Sequence, residues 1–268
     1  MIDHFILTRF NIASAGREAP IRNSPGWLER RFDLFERFCL PSVAAQTRTD
    51  FKWLIYFDEN TPDPFRTRIV EAQKMVPFKA LFVGPFAASM AAQDLKRWTD
   101  PNSTRVLTTR LDNDDAISRD FFQLTVNAAQ RLEDGTIINF PSGVALKRGR
   151  VYSATDPSNP FTSLIESADA ARSIWAAPHT ELAARFPIIQ ESAEPCWLQV
   201  VHGENVTNRI KGRRLSDSAV MNRFALGSGC QLEETGTLAL LADRICLAPA
   251  RTLREALITV AKRGLGRH

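Results

Sequence analysis

The stretch Thr108 to Ser118, TTRLDNDDAIS, sets three aspartates and an asparagine directly behind a short apolar run. Carboxylates this close repel one another and raise each other's pKa unless a cation or a helix N-terminus relieves them. On an irregular turn the side chains at i and i+2 can point the same way, so Asp112 and Asp114 could jointly hold one hard cation through oxygen ligands. Alternatively all three aspartates decorate the start of the helix predicted over SRDFFQLTVNAAQRLE, where one carboxylate would suffice. The turn is expected to divide, with Asp112 and Asp114 for metal, Asp115 for the helix and Ser118 as its N-cap. A calcium loop is excluded: it needs Gly at its sixth position and Glu at its twelfth, where Ile117 and Gln123 stand. A phosphatase-type aspartate nucleophile lacks a companion lysine or serine motif. Relief of crowding predicts that a variant carrying Asp112→Ala and Asp114→Ala folds at least as well as wild type in metal-free buffer.

Basic residues surround this turn in the sequence pattern. Arg9 and Arg110 close the apolar runs HFILTRF and TRVLTTRL, where each could fork onto phosphate oxygens or pair with an aspartate. NRIKGRRLS, from Asn208 to Ser216, places Lys211, Arg213 and Arg214 around Gly212. That suits a mobile loop closing over a diphosphate, or a solvated basic turn.

The elements that must position these residues alternate. Apolar runs at His4 to Phe10, Phe51 to Phe57, Ala80 to Gly84 and Thr104 to Leu111 are separated by helical patterns. In the first of these, GWLERRFDLFERFCL, the residues Leu28, Phe32, Phe35 and Cys39 form one stripe, and Pro41 should kink or restart the helix. Others run from about Pro64 to Lys74 and to near Trp98. FKWLIYF is apolar on both faces, as a strand inside a parallel sheet must be. The order predicts an α/β fold with a mostly parallel, Rossmann-like central sheet flanked by helices. Ligands in such sheets bind beyond the carboxyl ends of the strands, where Phe10, Asp58 and Asp112 to Asp115 fall. From Thr136 the texture changes: TIINFP, a hairpin of GVALK and RVYSA, RSIWAA as a further strand, and CWLQVVHGENVTN running from a strand into a polar loop. These predict a smaller mixed or antiparallel C-terminal part within a single domain.

Composition narrows the partners. With 268 residues, 44% hydrophobic and 24% charged, the chain is ordinary for a soluble globular protein. Its net charge of +4 and pI near 9.0 come from scattered residues, which favours an anionic small molecule or membrane surface slightly and does not argue for nucleic acid. Cys39, Cys196, Cys230 and Cys246 show neither metal-ligand spacing nor a preceding secretory segment, so a reducing cytosol is expected. No run approaches the roughly 18 apolar residues of a membrane span. In the tail TLREALITVAKRGLGRH, Leu253, Leu257 and Val260 share a helical face, expected to pack on the core in preference to a lipid surface.

LFERFCLPSVAAQTRTDFKWLIYFDENTPDP and RLDNDDAISRDFF together resemble the inverting nucleotide-sugar glycosyltransferases of GT-A type. In that group a helix ending in S…QT precedes a strand closed by aspartate, and a metal-binding D-x-D turn precedes a helix. More narrowly, LTRFN, FCLPSV, TTRLDNDDAIS and WLQVVHGENVTNR, in this order, are similar to bacterial proteins described as "putative rhamnosyltransferases", over most of Phe5 to Arg214.

The resemblance implies a GT-A-like fold in which residues 1–115 bind the nucleotide sugar and residues 116–268 supply the acceptor side and C-terminal helices. It implies that Asp112 and Asp114 hold Mn²⁺ or Mg²⁺ across the donor's two phosphates, offsetting charge on the leaving group. Asp58 then contacts base or ribose, and His202 is a third metal ligand; taken alone, a single His after an apolar strand is more often a structural hydrogen-bonder. Inversion needs a base for the acceptor hydroxyl, assigned to Glu191, with Glu194 and Asp156 as alternatives. The expected donor is a dTDP-, UDP- or GDP-sugar and the acceptor a saccharide, lipid or small molecule. The expected location is cytoplasmic, with at most peripheral membrane contact and no nucleic-acid partner. The rival classes are a metal-dependent phosphoester hydrolase and a non-catalytic nucleotide- or sugar-binding module.

Overall fold

Strand β1 (Ile2–Arg9) sends Phe5 and Leu7 into one apolar core and Ile6 into another. Its neighbour β2 (Lys52–Asp58) does the same, with Leu54 and Tyr56 on the first face and Trp53, Ile55 and Phe57 on the second. Period-two side chains with both faces covered give the continuous apolar runs of a central parallel strand. The computed structural model that shows this describes residues 1–13, 18–177, 181–203, 210–216 and 220–254.

With β3 (Lys79–Val83), β4 (Arg105–Arg110), β6 (Thr136–Asn139), β9 (Ser163–Ser167) and β10 (Ile188–Gln190), these strands form a seven-stranded sheet in the order β10-β6-β9-β4-β1-β2-β3. All run parallel except β9, which is antiparallel to both neighbours. One face is covered by the α2 (Trp27–Leu34) and α3 (Leu40–Ala44) segment, α4 (Asp63–Met75) and α6 (Phe121–Ala129). On the other lie α5 (Ala88–Trp98) and residues of the 174–186 segment. The predicted α/β architecture is observed.

A second sheet, in the order β5-β11-β7-β8, consists of β5 (Ala116–Ile117), β7 (Ser142–Lys147), β8 (Arg150–Thr155) and β11 (Trp197–Val200). It is mixed: β11 runs parallel to β7 and antiparallel to β5. The hairpin of β7 and β8 forms as expected. Gly143 is needed in it, since a Cβ there would lie 2.1 Å from Cδ2 of Trp197. That indole is fixed by stacking on Phe161 at 5.2 Å and by donating to the Phe140 carbonyl at 2.8 Å.

Pro41 restarts its helix as expected: after a π-turn (Phe35–Cys39) a new α-helical segment begins at Leu40 with Pro41 in its first turn, and the Arg37 carbonyl, which Pro41 has no N–H to serve, accepts the N–H of Gly227 at 2.8 Å. Two other local expectations fail, each for a hydrogen-bonding reason. RSIWAA is a short 3₁₀ turn (Ile174–Ala176) instead of a strand, because side chains take its donors: Ile174 N–H goes to Thr108 Oγ1 at 2.9 Å and Trp175 N–H to Ser173 Oγ at 3.3 Å. Ser118 is not the N-cap of α6; Asp120 holds that position, and the Ser118 hydroxyl donates to its Oδ1 at 2.7 Å.

At the C-terminal side, α7 (Thr237–Ala242) continues through a second π-turn (Asp243–Leu247). Leu253 is exposed, and Leu257 and Val260 of the amphipathic tail lie outside the described residues. Among the described residues, no helix is long and apolar enough to cross a membrane.

Candidate functional site

The parallel strands β1, β2 and β4 bring Arg9, Asp58 and the acidic turn to one edge of the sheet. The turn is tied to β1 and to the residue that follows it: Leu111 N–H donates to the Leu7 carbonyl at 3.1 Å, and the Asn113 amide to the Phe10 carbonyl at 2.8 Å. Its three carboxylates then go to different partners.

Asp112 receives Arg110 at 3.2 Å and remains partly open to solvent. Asp114 is nearly enclosed, and one oxygen, Oδ2, meets both Arg31 at 2.7 Å and His202 Nε2 at 2.9 Å. Burial alone would raise the Asp114 carboxyl, but the hydrogen bond from His202 and the charge of Arg31 outweigh it and hold its pKa below the usual carboxylate range. Asp115 is turned inward, accepting the Val200 N–H at 2.8 Å. Burial, and then the charges of Asp114 and Asp112, push its pKa well above the ordinary value, which favours a neutral carboxylic acid. The expected helix-capping role of Asp115 is therefore replaced by a bond to β11 that fixes the strand carrying His202.

A carboxylate beside an imidazole is a donor chemistry that suits a divalent cation, and this edge brings Asp114 and His202 together. Two ligands side by side on an octahedral ion at ~2.1 Å stand ~3.0 Å apart, and Mg²⁺-type sites commonly take one or two protein ligands plus substrate phosphates. Asp114 Oδ2 and His202 Nε2 lie 2.9 Å apart because they share a hydrogen bond, and they become two adjacent ligands only when a cation displaces that proton. Asp112 faces Arg110 instead, and among the described residues no three His, Cys, Asp or Glu side chains are grouped as a complete ligand set.

The other predicted residues are placed as follows. Asp58 pairs with Arg22 of α1 (Glu18–Arg22), its own N–H is held by Asn11 at 3.0 Å, and its Oδ1 accepts the Asn60 N–H at 2.8 Å. The Arg9 guanidinium lies 5.7 Å from the ring centre of Trp175. Glu191 follows β10 and pairs with Arg131 at 3.0 Å, and Asp156 turns its Oδ1 to the Ser158 N–H at 2.8 Å. Lys211 is exposed on a segment whose described part is moored. Gly212 presses so closely on β8 that a Cβ would lie 1.7 Å from the Ser153 carbonyl, and Arg214 N–H donates to Asp243 at 2.8 Å. Over residues 210–216 the mobile-loop expectation gives way to an anchored one, because Arg251 also binds the Gly212 carbonyl and Asp243.

Sequence reasoning missed Arg31. It lies on the polar side of α2, stacks at 5.2 Å on Trp27, and reaches Asn113 Oδ1 at 3.2 Å as well as Asp114. Nothing in WLERRFDLF distinguishes Arg31 from its neighbour Arg30, which turns instead to the Pro25 carbonyl. Asn113 carried a usable signal, as an amide set between aspartates at a strand end.

Residues 3–214 match the family model described as "Putative rhamnosyl transferase". No curated protein matches the chain. Among solved structures the chain is similar to S. aureus TarS 1-349 in complex with UDP, with 14% identity and a TM-score of 0.40 over 75% of this chain and 61% of that chain. It is also similar to the mannosyltransferase PcManGT from Pyrobaculum calidifontis in complex with GDP-Man and Mn²⁺, with 12% identity and a TM-score of 0.40 over 75% of this chain and 57% of that one. The match thus spans about three fifths of each of those chains.

Proposed function

This chain belongs to the putative rhamnosyl transferase family, and we propose that it moves a sugar, rhamnose by family description, from a nucleoside-diphosphate donor to an acceptor hydroxyl with inversion. Donors carrying dTDP, UDP or GDP are the candidates. The acceptor is proposed to be a saccharide, a lipid-linked glycan or a small molecule, met in the cytoplasm or at the surface of its membrane.

In this reading Asp112, Asp114 and His202 would hold Mn²⁺ or Mg²⁺ beside the donor's phosphates, with Asp112 exchanging Arg110 for the cation. The cation supplies Lewis-acid stabilisation of the departing diphosphate. Arg9 and Arg110, at neighbouring strand ends, add fixed positive charge on the donor side, and exposed Lys211 is assigned a further cationic contact to the diphosphate. Asp58 orients the base or ribose, which requires Arg22 to share or release its carboxylate. Glu191 takes the proton of the acceptor hydroxyl as the new C–O bond forms on the face of the sugar opposite the breaking bond, and the nucleoside diphosphate leaves.

The observation that supports this best is the approach of His202 to Asp114 at 2.9 Å, from a strand end on a different sheet. A thermal-shift panel of UDP, dTDP and GDP with and without Mn²⁺ tests it. One nucleotide is expected to stabilise wild type in a Mn²⁺-dependent way, and to stabilise Asp114→Ala and His202→Ala less, each measured against its own ligand-free melting point. Product analysis then separates transfer from hydrolysis, since a hydrolase releases phosphate whatever the acceptor. Absence of stabilisation by all three nucleotides would sink the reading.

A further inference from the structure

We infer that Arg31 is a built-in counter-cation of Asp114 that keeps a bare divalent ion out of the acidic turn, so that metal enters only with a diphosphate. The inference rests on the proposed donor and cation site and concerns the order in which they fill it.

The geometry assigns each of these two carboxylates its own guanidinium: Arg110 on Asp112 at 3.2 Å and Arg31 on Asp114 at 2.7 Å. Arg31 is not a surface side chain that can swing away. It is largely buried, lies against Trp27, and is shared with Asn113, whose amide is anchored on the Phe10 carbonyl. An incoming dication bound to Asp114 Oδ2 and His202 Nε2 would therefore stand beside a fixed positive charge in a partly dry site, where repulsion between like charges is several times stronger than in water. A nucleoside diphosphate reverses the balance, because its negative charges are attracted by the same arginines and offset the dication. Arg31 is thus a positioning and charge-setting residue, which needs no contact with the reacting atoms.

The test is Mn²⁺ alone, titrated into the full chain with the free ion read by electron paramagnetic resonance, for wild type, Arg31→Gln and Arg31→Lys. Folding of each is checked by circular dichroism. Wild type and Arg31→Lys, which keeps the charge, are expected to bind weakly. Arg31→Gln is expected to bind at least about ten-fold tighter, and an added Asp114→Asn should abolish that gain. The inference is overturned if Arg31→Gln binds Mn²⁺ no better than wild type, or if Arg31→Lys gains equally, since orientation and not charge would then be at work. Should Arg31→Gln not fold, wild type still decides: low-micromolar binding of Mn²⁺ alone overturns the inference. The functional reading fails separately, when no nucleoside diphosphate with Mn²⁺ stabilises wild type.

Discussion

His202 Nε2 lies 2.9 Å from Oδ2 of Asp114, and the same oxygen carries the Arg31 guanidinium at 2.7 Å. One carboxylate oxygen thus joins a helix, the turn after β4 and the end of β11. Asp112, two residues earlier, pairs with its neighbour Arg110 and stays partly exposed.

The two aspartates should therefore respond differently to removal. Asp114→Ala leaves Arg31 largely buried without its carboxylate, and breaking such a pair costs about 3 kcal/mol or more. Asp112→Ala should change stability by less than about 1 kcal/mol. Urea unfolding in metal-free buffer measures both. This reverses, for Asp114, the expectation that removing crowded carboxylates is harmless, because the crowding is already relieved by arginines.

Gly143→Ala should be severely destabilising. The added methyl would meet the Trp197 indole at 2.1 Å, and that ring cannot retreat from Phe161 and the Phe140 carbonyl. Overpacking of this kind costs about 3 kcal/mol, seen as a lower urea midpoint with loss of the near-ultraviolet tryptophan signal. An unchanged midpoint would mean that the two sheet strands can part at no cost.

Acid should weaken the fold through His4. It is fully enclosed, bonded to Thr109 at 2.8 Å and edge-on to Phe122, and burial, with the charge of Arg48 second, lowers its pKa from 6.5 to about 3. The folded value lies below the unfolded one, so the native state binds fewer protons between them. The contribution of His4 is complete above pH 6.5 and is lost as pH falls toward 3, at up to roughly 1.4 kcal/mol per pH unit. His4→Phe should flatten the stability profile between pH 6.5 and 4; an unaltered slope would assign the acid sensitivity elsewhere.

The mooring of residues 210–216 should depend on Asp243. This buried carboxylate accepts the Arg214 N–H and the Arg251 guanidinium, both at 2.8 Å. Asp243→Ala is expected to expose Lys211 and Arg213 to trypsin and raise the cleavage rate there several-fold while the cores of the main sheet persist. Equal cleavage of variant and wild type would show that the contact of Gly212 with Ser153 holds the segment without help.

The apolar runs around Phe5, Leu54 and Leu107 determined the parallel sheet, because strands covered on both faces lose the polar-apolar alternation of a half-exposed strand. Their carboxyl ends located Arg9, Asp58 and the acidic turn on one edge, which follows from topology alone. What each carboxylate does there was not legible. Asp112, Asp114 and Asp115 are neighbours of one residue type, and only tertiary structure sends the first to Arg110, the second to Arg31 and His202, and the third inward to β11. The physical reason is that a charge's role is set by burial and by partners distant in sequence: Arg31 and His202 reach Asp114 from a helix and from a strand end, and no local pattern records that meeting. The same holds for Pro41, whose cost to the helix is offset by Gly227, a donor that the helix sequence does not contain.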